Sequence, residues 1–188
     1  MKMHDFYIGK AFDAYDYFGA HRIEKAGREG FVFRVYAPGA EAVTLIGEFN
    51  GWQDTPMKPL GTGGIYECFV ENADAGMLYK YRIHQMDGRV LDRADPYGCA
   101  MELRPNSASV LVKWDYVFKD ETWLKKRAKR PHYNEPMSIY EMHFGSWRRK
   151  AEEGPAGWYS YEELCGELLD YVREHSFTHV EFLPLTEY

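Results

Sequence analysis

This chain of 188 residues, 45% of them hydrophobic, has enough apolar side chains to bury a core, which argues against global disorder. Its net charge of −6, from 29 acidic and 23 basic residues, argues against a nucleic-acid-binding protein, which needs a basic face. The start, MKMHDFYIGK, lacks the apolar run of a signal peptide, and no stretch approaches the roughly 18–20 apolar residues that cross a bilayer. We therefore expect a cytoplasmic protein without a membrane partner.

Short apolar segments separated by turn residues follow one another in the first two thirds of the chain. They are rich in Val, Ile, Tyr and Phe, and an Asp-Gly pair at 87–88 predicts a tight hairpin. Regularly spaced short strands are typical of a β-sandwich, which we place at residues 25–113 after an N-terminal segment, residues 1–24. The predicted strands are 31–37, 42–49, 64–70, 78–84, 89–92 and 108–113.

The pattern changes beyond residue 113. Residues 114–136 are predicted to form a linker with a short helix over 122–129, whose basic cluster is explained by a solvated helix face. A strand is then predicted at 137–144, a helix after Ser160, and a second strand at 178–185. This order predicts a parallel strand pair joined by a right-handed helical crossover.

Such a strand pair needs cover on both faces, and a single helix covers only one of them. Residues 137–188 are also far fewer than the roughly 250 residues of a complete eight-stranded α/β barrel. The segment is therefore expected to be the truncated start of a (β/α)8 barrel, with strand 1, helix 1 and strand 2.

The sequence offers little support for a metal site or a disulfide bond. The three cysteines, Cys68, Cys99 and Cys165, show no CxxC spacing, and reduced thiols are expected. His175 and His179 have metal-like i, i+4 spacing, but they are predicted to lie on either side of a helix end and so would not converge. Asp54, Asp92 and Asp95 lack the regular spacing of calcium ligands. The sequence predicts neither a metal nor a cofactor.

Several motifs resemble, in order and over nearly the whole chain from Tyr17 onward, the N-terminal part of bacterial 1,4-α-glucan (glycogen) branching enzymes of the α-amylase superfamily. GEFNGW (47–52) recurs in glycogen-binding sandwiches generally, whereas IYEMHFGSW (139–147) and FTHVEFLPLTEY (177–188) are more specific. The resemblance implies an immunoglobulin-like β-sandwich of the carbohydrate-binding-module-48 type, a connector, and a (β/α)8 barrel of glycoside hydrolase family 13.

The resemblance also implies an activity. Branching enzymes are retaining glycosyltransferases that cut α-1,4 glucan chains and transfer them to a 6-hydroxyl, forming α-1,6 branches in glycogen biosynthesis. The family's catalytic carboxylates lie on later barrel strands, so no residue of this chain corresponds to them, and the 188-residue chain is expected to be inactive. There are two alternatives to a branching-enzyme fragment. One is a stand-alone glucan-binding or scaffold module, but such a module would not need a barrel strand. The other is a fragment of a debranching-type relative, but the HFGSW segment argues against it.

Three residues of the sandwich match sugar contacts of related glycogen-binding modules. Trp52 matches a stacking Trp, Lys80 a Lys that contacts hydroxyl groups, and Asn106 a polar residue before the last strand. The chain departs from those modules where Arg89, rather than a second Trp, follows the Asp-Gly turn. The resemblance thus implies an α-glucan partner, while the alternative is that Trp52 caps the core or packs on the barrel.

Residues of the second segment invite a similar comparison. Glu187 and Tyr188 follow the second barrel strand and are expected to line the edge of the catalytic cleft. Glu141 and His143 lie two apart on the first strand and so share a face. Hydrogen-bonded packing inside the barrel is favoured over a site or metal role for this pair.

Overall fold

The chain divides into two compact units, Met1–Val117 and Phe118–Tyr188. The computed structural model describes residues 1–130, 134–150 and 157–185. Within these ranges, no helix combines the length and apolar character needed to cross a membrane. The predicted linker, residues 114–136, spans the boundary between the two units.

The first unit is built from two antiparallel sheets, with strands numbered in chain order. The first sheet has the order β1 (Gly19–Lys25), β2 (Arg28–Tyr36), β6 (Ile65–Val70) and β5 (Lys58–Pro59). The second has the order β4 (Thr55–Pro56), β3 (Ala40–Gly47), β7 (Leu78–Gln85), β10 (Ser109–Val110) and β9 (Ala100–Met101), and β8 (Val90–Arg93) also pairs with β7. The predicted β-sandwich and the hairpin at the Asp-Gly turn are confirmed.

The core lies between these two sheets. From β2, Phe31 and Phe33 are almost fully buried, and from β7 so are Tyr79 and Tyr81. The rings of Phe33 and Tyr79 meet edge to face with centroids 5.1 Å apart. Every second residue of a strand points to the same face, so the alternating sequence of β7 buries its tyrosines and leaves Lys80 on the outer face. Each such side chain stabilises the fold by about 1.5–3 kcal/mol.

An unpredicted strand, β1, forms the edge of the first sheet. It pairs with β2 along its whole length, from Gly19 opposite Arg34 to Lys25 opposite Arg28. The sandwich therefore begins before residue 25, and the predicted boundary falls at the last residue of this strand. Strand β1 was hard to predict because its side chains are mostly polar and only Gly19 is buried. Its order comes from backbone hydrogen bonds to β2.

Ahead of this strand, α1 (Met3–Tyr7) packs on the same unit. The Phe6 ring lies 4.6 Å from Phe18 and 5.1 Å from Tyr36, measured between centroids. The Tyr7 hydroxyl donates a hydrogen bond of 3.1 Å to the Gly63 carbonyl. The N-terminal segment is thus attached to the sandwich through aromatic contacts.

The second unit contains α2 (Glu121–Ala128), β11 (Ile139–Met142), α3 (Phe144–Trp147), α4 (Tyr161–Glu174) and β12 (His179–Phe182). Strands β11 and β12 are parallel, with Ile139 opposite His179, and α4 lies between them in the chain, so the predicted pair is confirmed. The first strand ends at Met142, two residues earlier than predicted, because the His143 ring caps α3 by accepting the Ser146 N–H at 3.1 Å.

Helix α4 begins and packs as its sequence predicts. Ser160 and Glu163 form the capping box, in which each side chain accepts the backbone N–H of the other residue. Leu164 and Leu168 are buried, and the Tyr171 ring follows on the same stripe. This stripe covers one face of the strand pair.

The opposite face of the strand pair is open among the described residues. It carries Ile139 and Glu141 from β11 and His179 and Glu181 from β12, all of them exposed. Glu141 and Glu181 are register partners, so two carboxylates stand side by side on this face.

Candidate functional site

Trp52 lies in a turn that a single asparagine holds in shape. The Asn50 amide donates to the Leu45 carbonyl at 3.1 Å and to the Thr55 hydroxyl at 2.9 Å, and its oxygen accepts the Gly47 N–H at 3.0 Å. The backbone N–H of Trp52 donates a hydrogen bond of 2.8 Å to the Gly47 carbonyl. The turn is therefore rigid, which explains the Asn-Gly-Trp sequence.

The backbone of Trp52 is left-handed, with φ of +61°, a conformation that bulky residues rarely adopt. Its side chain is 39% exposed. Such local strain persists only where the surrounding structure fixes it, as the Asn50 hydrogen bonds do here. The turn thus presents an indole ring at the surface of the sandwich.

Lys80 on the outer side of the second sheet is hydrogen-bonded to the residue that follows Asn106. Lys80 lies on β7 opposite Ile46, and its ammonium donates to the Ser107 hydroxyl at 3.2 Å. Asn106 precedes Ser107 and donates through its amide to Glu102 at 3.5 Å. Lys80 and Asn106 both keep further hydrogen-bonding capacity.

Trp52 is tied to the same end of the sheet through the backbone. Gly47, which binds the Trp52 N–H, is the register partner of Tyr79, the residue before Lys80. The structure thus places Lys80 against Ser107, the residue after Asn106, and Trp52 at the end of the neighbouring strand. We call Trp52, Lys80 and Asn106 the Trp52 face.

The outer face of β7 also carries an ion-pair network that sequence reasoning missed. Arg82 donates from Nε and Nη2 to the two oxygens of Asp92, at 2.8 and 3.1 Å, and from Nη1 to Asp54 at 3.2 Å. The hydrogen bond from the Thr44 hydroxyl is the main cause that lowers the pKa of Asp54 below its usual range, and the Arg82 guanidinium lowers it further. Arg82 likewise lowers the pKa of Asp92. In the sequence, the basic residues at every second position of β7 (Lys80, Arg82 and His84) could have indicated this network.

Asp95, in the segment ADPYG (94–98), is buried beneath the sheet rather than at its surface. Its carboxylate accepts hydrogen bonds from the Tyr79 hydroxyl at 2.7 Å, the Tyr81 hydroxyl at 3.0 Å and the Tyr97 N–H at 2.8 Å. Burial raises the pKa of Asp95, and these donors act against that rise. The cluster fixes both tyrosines and therefore positions Lys80, which lies between them.

The candidate residues of the second unit are only partly described. Glu187 and Tyr188 lie outside the described residues. His175 lies at the end of α4 with its ring 4.4 Å from that of Tyr171, whereas His179 lies on β12. In the described ranges, no group of three or more His, Cys, Asp or Glu side chains is arranged to hold a metal ion.

Residues 17–98 match carbohydrate-binding module 48, described as the isoamylase N-terminal domain. The sandwich is similar to this family over these residues. The whole chain is 42% identical to the 1,4-alpha-glucan branching enzyme GlgB of Bacillus mycoides and 41% identical to GlgB of Geobacillus stearothermophilus. Each match covers 100% of this chain and 29% of the relative. The chain therefore spans less than a third of the length of the branching enzymes it matches.

Solved structures show the same fold at lower sequence identity. The pullulanase SAP of group B Streptococcus, solved in complex with maltotetraose, has a TM-score of 0.63 and 18% identity, over 95% of this chain and 25% of that one. The apo pullulanase of Paenibacillus barengoltzii has a TM-score of 0.57 and 22% identity, over 98% of this chain and 31% of that one. These likenesses concern the fold alone.

Proposed function

We propose that this chain is the N-terminal portion of a 1,4-α-glucan branching enzyme, which cuts α-1,4 glucan and transfers the cut chain to a 6-hydroxyl during glycogen biosynthesis in the cytoplasm. The observation that carries the proposal is the identity of 38–42% with GlgB branching enzymes over the full length of the chain. The module-48 sandwich at residues 17–98 supports the same assignment.

In this proposal, residues 137–188 supply strand 1, helix 1 and strand 2 of a (β/α)8 barrel. The parallel pairing of β11 with β12 and the cover of only one face by α4 support it, because barrel strands are buried on both faces. A stand-alone glucan-binding module gains nothing from such a strand pair. The open face, with Ile139 and His179, is the side that further strands would cover.

In this proposal, none of the residues that the structure describes carries out the catalytic step. Retaining transfer needs two carboxyl groups about 5–5.5 Å apart on either side of the scissile bond. Glu141 and Glu181 are register partners on adjacent strands, which lie about 4.8 Å apart. Both are exposed on one open face, so they do not flank an enclosed bond. We therefore expect this chain alone to form no branches.

The sandwich contributes glucan binding through the Trp52 face. The exposed indole offers a flat apolar surface for a sugar ring, and the Lys80 ammonium and Asn106 amide offer donors for hydroxyl groups. The rigid turn lowers the entropy cost of binding because the ring is ordered before the ligand arrives.

A chimera tests the enzyme assignment. This chain replaces the matching segment of Bacillus mycoides GlgB, and the product of incubation with amylose is analysed for α-1,6 linkages by proton NMR. We expect branching by the chimera and none by the 188-residue chain alone. The control chimera carries the corresponding segment of the pullulanase SAP. A folded chimera that hydrolyses α-1,6 bonds instead of forming them would contradict the proposal.

A substitution tests the binding face. We expect Trp52→Ala to weaken maltoheptaose binding by roughly tenfold or more in calorimetric titration, because truncation of an aromatic anchor removes most of its contact. Trp114→Ala is the matched control, since Trp114 is an exposed tryptophan of the same unit. If Trp52→Ala instead leaves binding intact and lowers the free energy of unfolding, Trp52 caps the core.

A further inference from the structure

Two helices of the second unit carry exposed charges of opposite sign. Helix α2 and the two residues after it contain five basic side chains and one acidic side chain: Lys125, Lys126, Arg127, Lys129, Arg130 and Glu121. Helix α4 contains five acidic side chains and one basic side chain: Glu162, Glu163, Glu167, Asp170, Glu174 and Arg173. The difference of four in each helix gives formal charges of +4 and −4, so the two helices are complementary in charge.

Helix α2 is exposed on every side, and none of its residues is buried. Lys125 pairs with Glu121, one turn earlier, at 3.9 Å, whereas Lys126 and Lys129 form no ion pair with any residue that the structure describes. Lys125, Lys126 and Lys129 lie within about 100° of the helix circumference, and we call them the basic face of α2. A helix that buries nothing gains little stability from its own chain, so this face is available to a partner.

Helix α4 has an acidic face with a gap in its middle. Glu162, Gly166, Asp170 and Glu174 follow one another at intervals of four residues and so lie along one stripe, which we call the acidic face of α4. A Cβ at Gly166 would meet no atom within 4 Å. Glycine weakens a helix interior relative to alanine, and no contact within the described residues requires it here. The close approach of a partner would require it.

The two faces also match in length. Helix α2 has eight residues and α4 has 14, which correspond to about 12 Å and about 21 Å. The whole of α2 can therefore lie along α4. Because Gly166 has no side chain, a lysine stem from α2 can cross the helix there and bring its ammonium group to the carboxylates on either side.

We propose that two copies of this chain associate through these helices, with the basic face of α2 in one copy against the acidic face of α4 in the other. A twofold axis forms this contact twice, because a closed symmetric dimer uses the same surfaces in both copies. Neither helix belongs to the Trp52 face, so the association is independent of glucan binding by the sandwich. Since charge holds the dimer together, salt weakens it.

The test measures the dissociation constant of the 188-residue chain by sedimentation equilibrium at low and high salt. We expect Kd to rise roughly tenfold or more between about 0.05 M and about 0.5 M NaCl. The double variants Lys126→Glu/Lys129→Glu and Asp170→Lys/Glu174→Lys should each raise Kd roughly tenfold or more at low salt. An equimolar mixture of the two should form a dimer again, because each reversed face then meets a face of opposite charge.

Two further variants serve as control and as a probe of the gap. Lys10→Glu/Lys58→Glu changes the net charge as much as the α2 variant does, at exposed positions of the first unit, and should leave Kd unchanged. Gly166→Gln places a good helix former in open space, so helical circular dichroism should be retained. The same variant fills the gap in the acidic face and should raise Kd roughly fivefold or more.

Four results would overturn the inference. They are a chain that stays monomeric at low salt, a Kd that does not respond to salt, a mixture of reversed variants that does not associate, and an unchanged Kd for Gly166→Gln. Association that persists in high salt would place the contact on the open face of the strand pair instead. Circular dichroism shows whether each variant is folded, and if the α2 variant is not, Asp170→Lys/Glu174→Lys and Gly166→Gln, which leave α2 intact, decide the question.

Discussion

The buried Asp95 cluster makes a measurable prediction about the stability of the sandwich. Tyr79→Phe removes only the hydroxyl that donates to the Asp95 carboxylate at 2.7 Å, and the ring keeps its place in the core. A hydrogen bond to a charged group contributes about 1.5–3 kcal/mol, against about 1 kcal/mol for a neutral pair. We expect Tyr79→Phe to lower the free energy of unfolding by about 2 kcal/mol, or Tm by roughly 8 °C.

The same core contains a matched control. The Tyr66 hydroxyl donates to a neutral acceptor, the Ala40 carbonyl, at 3.0 Å, and Tyr66 is also buried. Tyr66→Phe should therefore cost about half as much, measured for both variants by urea denaturation followed by near-ultraviolet circular dichroism. The difference between the variants should widen as pH rises and Asp95 ionises. Equal costs at neutral pH would refute the assignment of a charged acceptor at Asp95.

Three further outcomes follow from the structure. Burial raises the pKa of Asp95, so the folded state binds more protons than the unfolded state as pH rises from about 4. Thermal scans should therefore show that the stability of the wild type falls with rising pH relative to that of Asp95→Asn. A stability difference that does not change with pH would contradict this. Ser160→Ala should cost the second unit about 1 kcal/mol through loss of the capping box, read from helical circular dichroism, and Ser160→Thr should restore it. Hydrogen exchange should be slow in residues 31–113 and fast in residues 137–185, where a two-stranded sheet has open edges, and equal protection would argue against this view.

Local sequence patterns were sufficient for much of the secondary structure. The apolar strands predicted at 31–37 and 78–84, the Asp-Gly turn and the helix after Ser160 each depend on residues that are close in the chain, and each was confirmed. The Asn-Gly-Trp turn likewise contains within nine residues nearly all the hydrogen-bonding groups that shape it, from Leu45 to Gln53.

What the tertiary structure decided depends on pairing between distant residues. The polar strand β1 is ordered by its partner β2, and Asp95 is buried because two tyrosine hydroxyls, from residues 14 and 16 positions earlier, converge on it. Glu141 and Glu181 become neighbours through the register of two strands about 40 residues apart. Composition and periodicity specify which face of a strand is apolar, but they do not specify which strand lies beside it. For that reason the sequence identified Trp52, Lys80 and Asn106 one by one, and only the folded sheet placed Lys80 against Ser107 and Trp52 at the end of the adjoining strand.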